Sequence, residues 1–344
     1  MSSHSESGRS SGCTAATRRS VLRLGAGAAF AGTGLSIPRP ARAATKFRVL
    51  MNFYPEPTHG GYYQAQVTGL YESAGLDVEI RPGNPQINGI QLLAGGEVDV
   101  VMGSSIGAIS ALERGVPVIV VMPTFQFDPQ VLVTRPDIGS IADLKGHKIL
   151  VTTLGRGSYW LWLKDRFGFT DDQVAPYTGN FQQFIQDPTI ALGGALTSEP
   201  YRIRETGTDV KYFLLAKEGY PPYGYPMIMM QDQTNRNRDA VARFVRASLE
   251  GFKSFLADPT PALRVIKAAR PDATDASRAD AVEKIRNFKL VDGGDAQQAG
   301  LGVMTEDRWQ QLADFMLKAG ILKPNTDWRA VYTTEFVKDL KITL

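Results

Sequence analysis

The alternation of short apolar runs with helix-periodic segments, sustained from Lys46 to about Met230, constrains this chain most. Phe47 to Phe53 reads as a strand. Tyr63, Val67, Leu70, Tyr71 and Ala74 fall at i, i+4, i+7, i+8 and i+11, so the spacing predicts a helix from Tyr62 to Ala74 with Gly75 at its C-cap. Leu76, Val78 and Ile80 alternate with Asp77 and Glu79, as in a half-buried strand. A helix from Gln86 to Leu93 ends at Gly95-Gly96, and Val98 to Met102 is a buried strand run. Ser104-Ser105 open a helix that stops at Gly115, and Val118 to Met122 is another strand. Repeated β-α-β units predict a mostly parallel sheet with helices on both faces.

After Gln130 the pattern restarts. Val131 to Val133 is a strand, Ser140 to Gly146 a short helical turn, and Lys148 to Thr152 a strand. Gly155-Arg156-Gly157-Ser158 then opens a helix from Tyr159 to Phe167. Alternation continues through Phe184, Ile190 to Leu196 and Val210 to Leu215. Tyr220 to Pro226 carries three prolines in seven residues, which excludes it from helix and central sheet. Met227 to Met230 gives one more strand. Beyond Asn237 the chain is mainly helical: Val241, Phe244, Val245, Leu249, Phe252 and Phe255 mark a long amphipathic helix. Shorter helices follow at 261–269, 276–288 and 305–319.

Charge has to be read without the first 43 residues. Thr17-Arg18-Arg19-Ser20-Val21-Leu22-Arg23 is a twin-arginine pattern, followed by a mild apolar stretch and a small-residue cleavage site at Ala41-Arg42-Ala43. That stretch is too short and too glycine-rich for a membrane span, so 1–43 reads as a signal for export of a folded, soluble periplasmic protein. It holds six Arg and one Glu; removing them leaves 32 basic and 34 acidic residues, a net charge near −2. No dense Lys/Arg cluster follows, which argues against a nucleic-acid partner. The only cysteine, Cys13, lies inside the signal, so disulfides, thiolate metal sites and cysteine nucleophiles are excluded from the remainder.

Three stretches carry a family resemblance: Gly69 to Val78 (GLYESAGLDV), Leu92 to Val100 (LLAGGEVDV) and Ile141 to Gly146 (IADLKG). With them the chain resembles type II periplasmic solute-binding proteins, in the branch of nitrate, sulfonate, taurine and thiamine-pyrimidine receptors. The resemblance spans nearly all of 46–344. It implies an α/β fold of two lobes, each a mostly parallel sheet flanked by helices, closing on a ligand that is delivered to an ABC permease. Lobe one would comprise 46–127 and 233–344, lobe two 131–224, with hinge crossings near 128–130 and 225–232. A monomer with a small-molecule ligand is expected.

In such α/β folds ligands sit where strand ends feed helix starts, and 52–63 is such a place. Asn52, Phe53, Tyr54, Glu56, Thr58 and His59 are its candidates; Pro55 and Pro57 hold Glu56 on a stiff loop. The resembling pyrimidine-binding proteins line their pocket with an Asn-aromatic-x-Pro-x-x-x-His arrangement, which Asn52, Phe53, Pro55 and His59 match. Ser104 and Ser105 offer hydroxyls and free N–H groups at a helix start, or serve as a plain N-cap. Arg156, Gly157 and Ser158 repeat that form in lobe two, without the lysine of a phosphate loop. Tyr159 and Trp160 are candidates to stack on a flat ligand, while Trp162 reads as core. Glu199 ends a lobe-two strand, either facing the ligand or as a first-turn helix acid. Gln126 lies near a hinge, and His147 reads as surface.

Glu56 and Glu199 favour a donor-rich ligand such as an aminopyrimidine or another amine-bearing heterocycle, with aromatic rings against its faces. Arg156 keeps an anionic group open, and an organosulfonate, nitrate or aromatic carboxylate is the second reading. Catalysis is the rival class. The fungal pyrimidine synthases also resemble this family, binding a pyridoxal cofactor through a lysine and consuming a histidine one helical turn on. Aligned through Val98-Asp99, those positions are Gly103 and Gly107 here. No Ser-His-acid set or His-rich metal spacing stands in their place. A non-enzyme without cofactor or metal is expected; a periplasmic sensory partner would use the same pocket.

Overall fold

The computed structural model describes residues 44–344; the twin-arginine pattern, the cleavage site and Cys13 lie outside them. The chain first lays down β1 (Thr45–Leu50), β2 (Leu76–Arg81), β3 (Val100–Met102) and β4 (Val118–Phe125). It then builds β5 (Gln130–Thr134), β6 (Ile149–Val151), β7 (Val174–Pro176), β8 (Ala191–Ala195) and β9 (Lys211–Leu214), and returns through β10 (Gly224–Met230). Two five-stranded sheets result, in the orders β2-β1-β3-β10-β4 and β7-β6-β8-β5-β9.

Four strands of each sheet share one direction, and the fifth runs against them. β10 is antiparallel to both β3 and β4, and β5 to both β8 and β9. A parallel neighbour needs a helical crossover within one sheet. β5 and β10 are instead the strands entered directly from the other sheet, so the expected mostly parallel sheets are mixed at those two places.

The first crossing runs from Gln126 to Pro129. The second falls between Leu214 and Gly224, earlier than the expected 225–232, because β10 already belongs to the first sheet. Pro226 therefore sits in a central strand, which proline content alone argued against. It faces Pro123 across the ladder, so two residues without an N–H are paired with each other, and its carbonyl accepts from the Gly103 N–H at 2.9 Å.

The helix expected from Tyr62 to Ala74 is two, Gly60–Val67 and Leu70–Ser73, divided by Gly69 at φ +74°. That break resets the phase: Tyr62, Tyr63, Ala65 and Tyr71 are buried, whereas Val67 is 41% exposed. The long helix Arg238–Ala257 packs its aromatic stripe on the first sheet side. Phe244 lies 5.5 Å from Phe47 and stacks on Tyr71 at 5.7 Å. Burying such a ring contributes about 1.5–3 kcal/mol.

Helices Gly60–Val67 and Arg238–Ala257 cross through glycine. A Cβ on Gly251 would come within 2.2 Å of Gly61 O and 2.8 Å of Ala65 Cβ. Gly251→Ala forces the helices apart and is expected to cost about 1–3 kcal/mol, read as a lower urea midpoint at unchanged slope. Among the described residues no helix is long and apolar enough to cross a membrane.

Candidate ligand cleft

The first wall grows from the Pro-Glu-Pro loop. Glu56 is extended (φ −145°, ψ 162°) and precedes a single turn, Pro57–His59. Its backbone N–H donates to His59 Nδ1 at 3.3 Å. An N–H only donates, so Nδ1 accepts, the ring proton sits on Nε2, and Nε2 donates to Asn52 Oδ1 at 3.0 Å. His59 is wholly buried; burial, with Arg270 adding to it, lowers its pKa to about 3. A neutral imidazole thus braces Asn52 and the Glu56 loop from behind the wall.

Glu56 is buried too, and sequence reading missed what holds it. Arg270, just past the helix Thr260–Ala269, places Nη1 on Glu56 Oε1, and Ser198 Oγ donates to the same oxygen at 3.0 Å. Both of these bonds fall on Oε1, and the side chain also caps the turn Pro57–His59. Burial raises the Glu56 carboxyl, with Glu199 adding to it and Arg270 and Ser198 opposing. Burial also works against the Arg270 charge, but Glu56 beside it more than restores it, so the guanidinium pKa is raised. The Ser198–Glu56 bond joins a residue after β8 to one after β1, and so ties the two sheets together.

The second wall is Glu199, first residue of the helix Glu199–Arg204. Its Oε2 accepts from the Ala195 N–H at 2.7 Å and its Oε1 from Tyr177 Oη at 3.1 Å. The side chain folds back over the end of β8 because Gly194 leaves room: a Cβ there would meet Glu199 Oε2 at 2.7 Å. Paired glycines in a strand mark such a close approach, a signal that Gly193-Gly194 offered in the sequence.

Asn52, Phe53, Glu56, Thr58 and Glu199 line one narrow cleft of about 40 Å³, together with Tyr177 and Tyr225. Tyr225 holds a left-handed φ of +47°, strained for a bulky residue. Gln130 Nε2, donating to Tyr225 Oη at 2.8 Å, and Thr124 Oγ1, donating to Tyr225 O at 2.6 Å, keep it there. No local pattern announced that conformation.

The other candidates lie elsewhere. Tyr54 packs on Phe53 at 5.0 Å and under the Arg270 guanidinium at 5.5 Å, outside the lining. Ser104 is an N-cap, its Oγ accepting from the Gly107 N–H, and with Gly157 it lines a neighbouring groove. Ser105 is buried with its hydroxyl toward Tyr223 O at 3.4 Å. Gln126 is spent on Val303 O at 2.9 Å, bracing the first crossing. Arg156 is exposed on the turn Thr153–Arg156 and does not line the cleft, and Ser158 donates to Leu154 O at 2.8 Å.

Tyr159 does not stack on the cleft: its Oη lies beneath the floor, 2.0 Å from where a Gly193 Cβ would stand. Trp160 packs on Phe169 at 5.8 Å and bonds Asp171 at 2.9 Å, while Trp162 meets Phe167 and Tyr220 in the core. The aromatic residues that line the cleft are Phe53, Tyr177 and Tyr225 instead. His147 is half-buried, on Thr189 O.

Asp128, in the first crossing, is buried and accepts from the Gln130 N–H at 2.9 Å; burial lifts its pKa to about 7. The folded chain therefore holds this proton up to about 7, whereas the unfolded chain releases it near 4. On this account stability falls as pH rises from about 4 to 7. Asp128→Asn keeps the acceptor and removes the charge. It is expected to raise the melting temperature over wild type at pH 8 and to leave it little changed at pH 4.5; an equal gap at both would contradict this.

Among the described residues no group of three or more His, Cys, Asp or Glu is placed to hold a metal ion. Residues 56–262 match the family described as NMT1/THI5 like. The riboflavin-binding protein RibY of Chloroflexus aurantiacus is 25% identical over 321 residues, covering 90% of this chain and 91% of that protein. The formylaminopyrimidine-binding protein of Halalkalibacterium halodurans is 24% identical over 234 residues, 65% of this chain and 71% of that one. Among solved structures, a Candida albicans protein described as having the generic periplasmic binding protein fold superposes with a TM-score of 0.61. It is 20% identical and covers 84% of this chain and 96% of its own.

Proposed function

The chain belongs to the NMT1/THI5-like family, and from that premise we propose that it is the solute-binding protein of an ABC uptake transporter, taking a flat nitrogen heterocycle with a pyrimidine-type edge. The convergence of Glu56 and Glu199, from loops of two different sheets, on one cleft carries the reading. Arg270 pairs with Glu56, while Glu199 has no ion-pair partner among the described residues, so acidic groups outnumber cations at the cleft. Such a site suits ring amino and imino donors and repels a sulfonate or nitrate, for which Arg156 is out of place. Phe53, Tyr177 and Tyr225 supply faces for a flat ring. Two relatives are named for riboflavin and formylaminopyrimidine, molecules that share a pyrimidine ring.

The sheets would act as two lobes, hinged at 126–129 and between Leu214 and Gly224, with ligand contacts from both shifting an open–closed equilibrium. The protein would be exported by its twin-arginine signal to the periplasm and act as a monomer delivering its ligand to a membrane permease. No catalytic step belongs to this proposal. At Gly103, the position of the cofactor lysine in the pyrimidine synthases, even a Cβ would meet Ile228 Cδ1 at 2.6 Å.

A thermal-shift panel on residues 44–344 tests the reading. Ligand at a hundredfold over its Kd adds about 2.7 kcal/mol. An aminopyrimidine or riboflavin should therefore raise the melting temperature and an alkanesulfonate should not; stabilisation by the sulfonate alone would reject the ligand class.

A further inference from the structure

Resting on that reading, we infer that the ligand is a fused, multi-ring heterocycle whose polar edge enters the carboxylate cleft and whose apolar body lies in the adjoining groove. The two spaces differ in size and chemistry. The carboxylate cleft holds about 40 Å³, well short of the roughly 150 Å³ of an apolar cavity that takes up benzene. Only the edge of a ring fits between the walls as they stand. The groove holds about 490 Å³, and Leu154 lines both spaces, so the two adjoin at that side chain.

The groove is built for a flat apolar body. Ile90, Val101, Met102 and Val116 come from the first sheet and its helices, and Leu161 from the helix Tyr159–Phe167 of the second, so an occupant would touch both sheets, as its polar edge does. Gly103 and Gly107 keep side chains off the floor, and neither has space for one: a Cβ on Gly107 would meet Ser104 Oγ at 2.7 Å, and one on Gly103 would strike Ile228. A bare backbone floor between aliphatic walls accepts the face of an aromatic system, which a single substituted pyrimidine would leave largely unfilled.

Ala94 and Gln91 are exposed on the helix Gly89–Ala94 and line this groove but not the carboxylate cleft. Ala94→Trp and Gln91→Trp therefore narrow the groove from a surface position without repacking the core. Calorimetry with a single-ring aminopyrimidine and with riboflavin as the tricyclic probe separates the cases. The wild type should bind the tricycle at least tenfold more tightly than the single ring. Each tryptophan variant, with unchanged melting temperature, should lose at least tenfold for the tricycle and under twofold for the single ring. Tighter binding of the single ring, or a tricycle insensitive to both variants, would overturn the extended ligand while leaving the pyrimidine-edge reading intact. Binding of neither probe would overturn both.

Discussion

Arg270→Met is expected to lower the stability of residues 44–344 by about 3–5 kcal/mol near neutral pH, the usual cost of removing one partner from a buried ion pair. The side chains of Arg270 and Glu56 are 8% and 7% exposed, so water cannot replace the lost guanidinium. Methionine keeps an apolar chain in the place of the arginine stem and removes the guanidinium that lies over Phe53 and Tyr54. With Arg270 gone, Glu56 is relieved of the group that pulled its pKa down, and burial and Glu199 act unopposed except by Ser198. Its folded-state pKa then rises further above the unfolded value, so the penalty grows as pH rises. Urea unfolding should show a smaller loss at pH 5 than at pH 8, and Glu56→Gln in the same chain should recover most of it. A loss equal at both pH values and not recovered by the second substitution would mean that packing, not the ion pair, is what Arg270 supplies.

Glu199→Gln should cost about a hundredfold in ligand affinity, about 2.7 kcal/mol, within the range for truncating one partner of a buried charged hydrogen bond. The local structure can survive the change. A glutamine carbonyl takes over the bond from the Ala195 N–H, and its amide donates to Tyr177 Oη, which turns from donor to acceptor. What disappears is the carboxylate that has no ion pair among the described residues. The expected result is an unchanged melting temperature without ligand and a Kd raised about a hundredfold in calorimetry. Retention of affinity within threefold would remove Glu199 from the site.

The parts legible in the sequence were those written in local pattern. Val98 to Met102 announces a buried strand by its apolar run, Ser104 a helix start by its residue type, and Tyr159 to Phe167 a helix by what precedes it. Glu56 and Glu199 each stand at a strand-to-helix junction, and each lines the cleft. What escaped depends on contacts between distant segments. Arg270 reaches Glu56 across 214 positions of chain, and nothing near either residue encodes the meeting. Tyr159 misled because a ring at a helix start looks available until Gly155 and Gly193 are seen to make a slot for it. Pro226 misled because the rule against proline in a central strand concerns its missing N–H, whereas its carbonyl still holds the ladder to the Gly103 N–H and the residue opposite it on β4 is Pro123.

Two acids read from the sequence as two free carboxylates; three dimensions pair one of them with arginine and leave the other without an ion pair among the described residues. That still favours a donor-bearing ligand, and it assigns the two acids different work. Glu56 is the ion-paired group that joins the sheets through Ser198, while Glu199 is held by the Ala195 N–H and Tyr177 Oη and has no ion pair among the described residues.

The most direct test is a crystal structure of residues 44–344 grown with whichever heterocycle gives the largest thermal shift, with distances measured from the ligand to Glu56 Oε2 and Glu199. Ring nitrogens or amino groups within about 3.2 Å of both carboxylates, and a ring face on Phe53, Tyr177 or Tyr225, is the predicted result. A ligand seated away from both acids, or held by its edge on arginine, would contradict it.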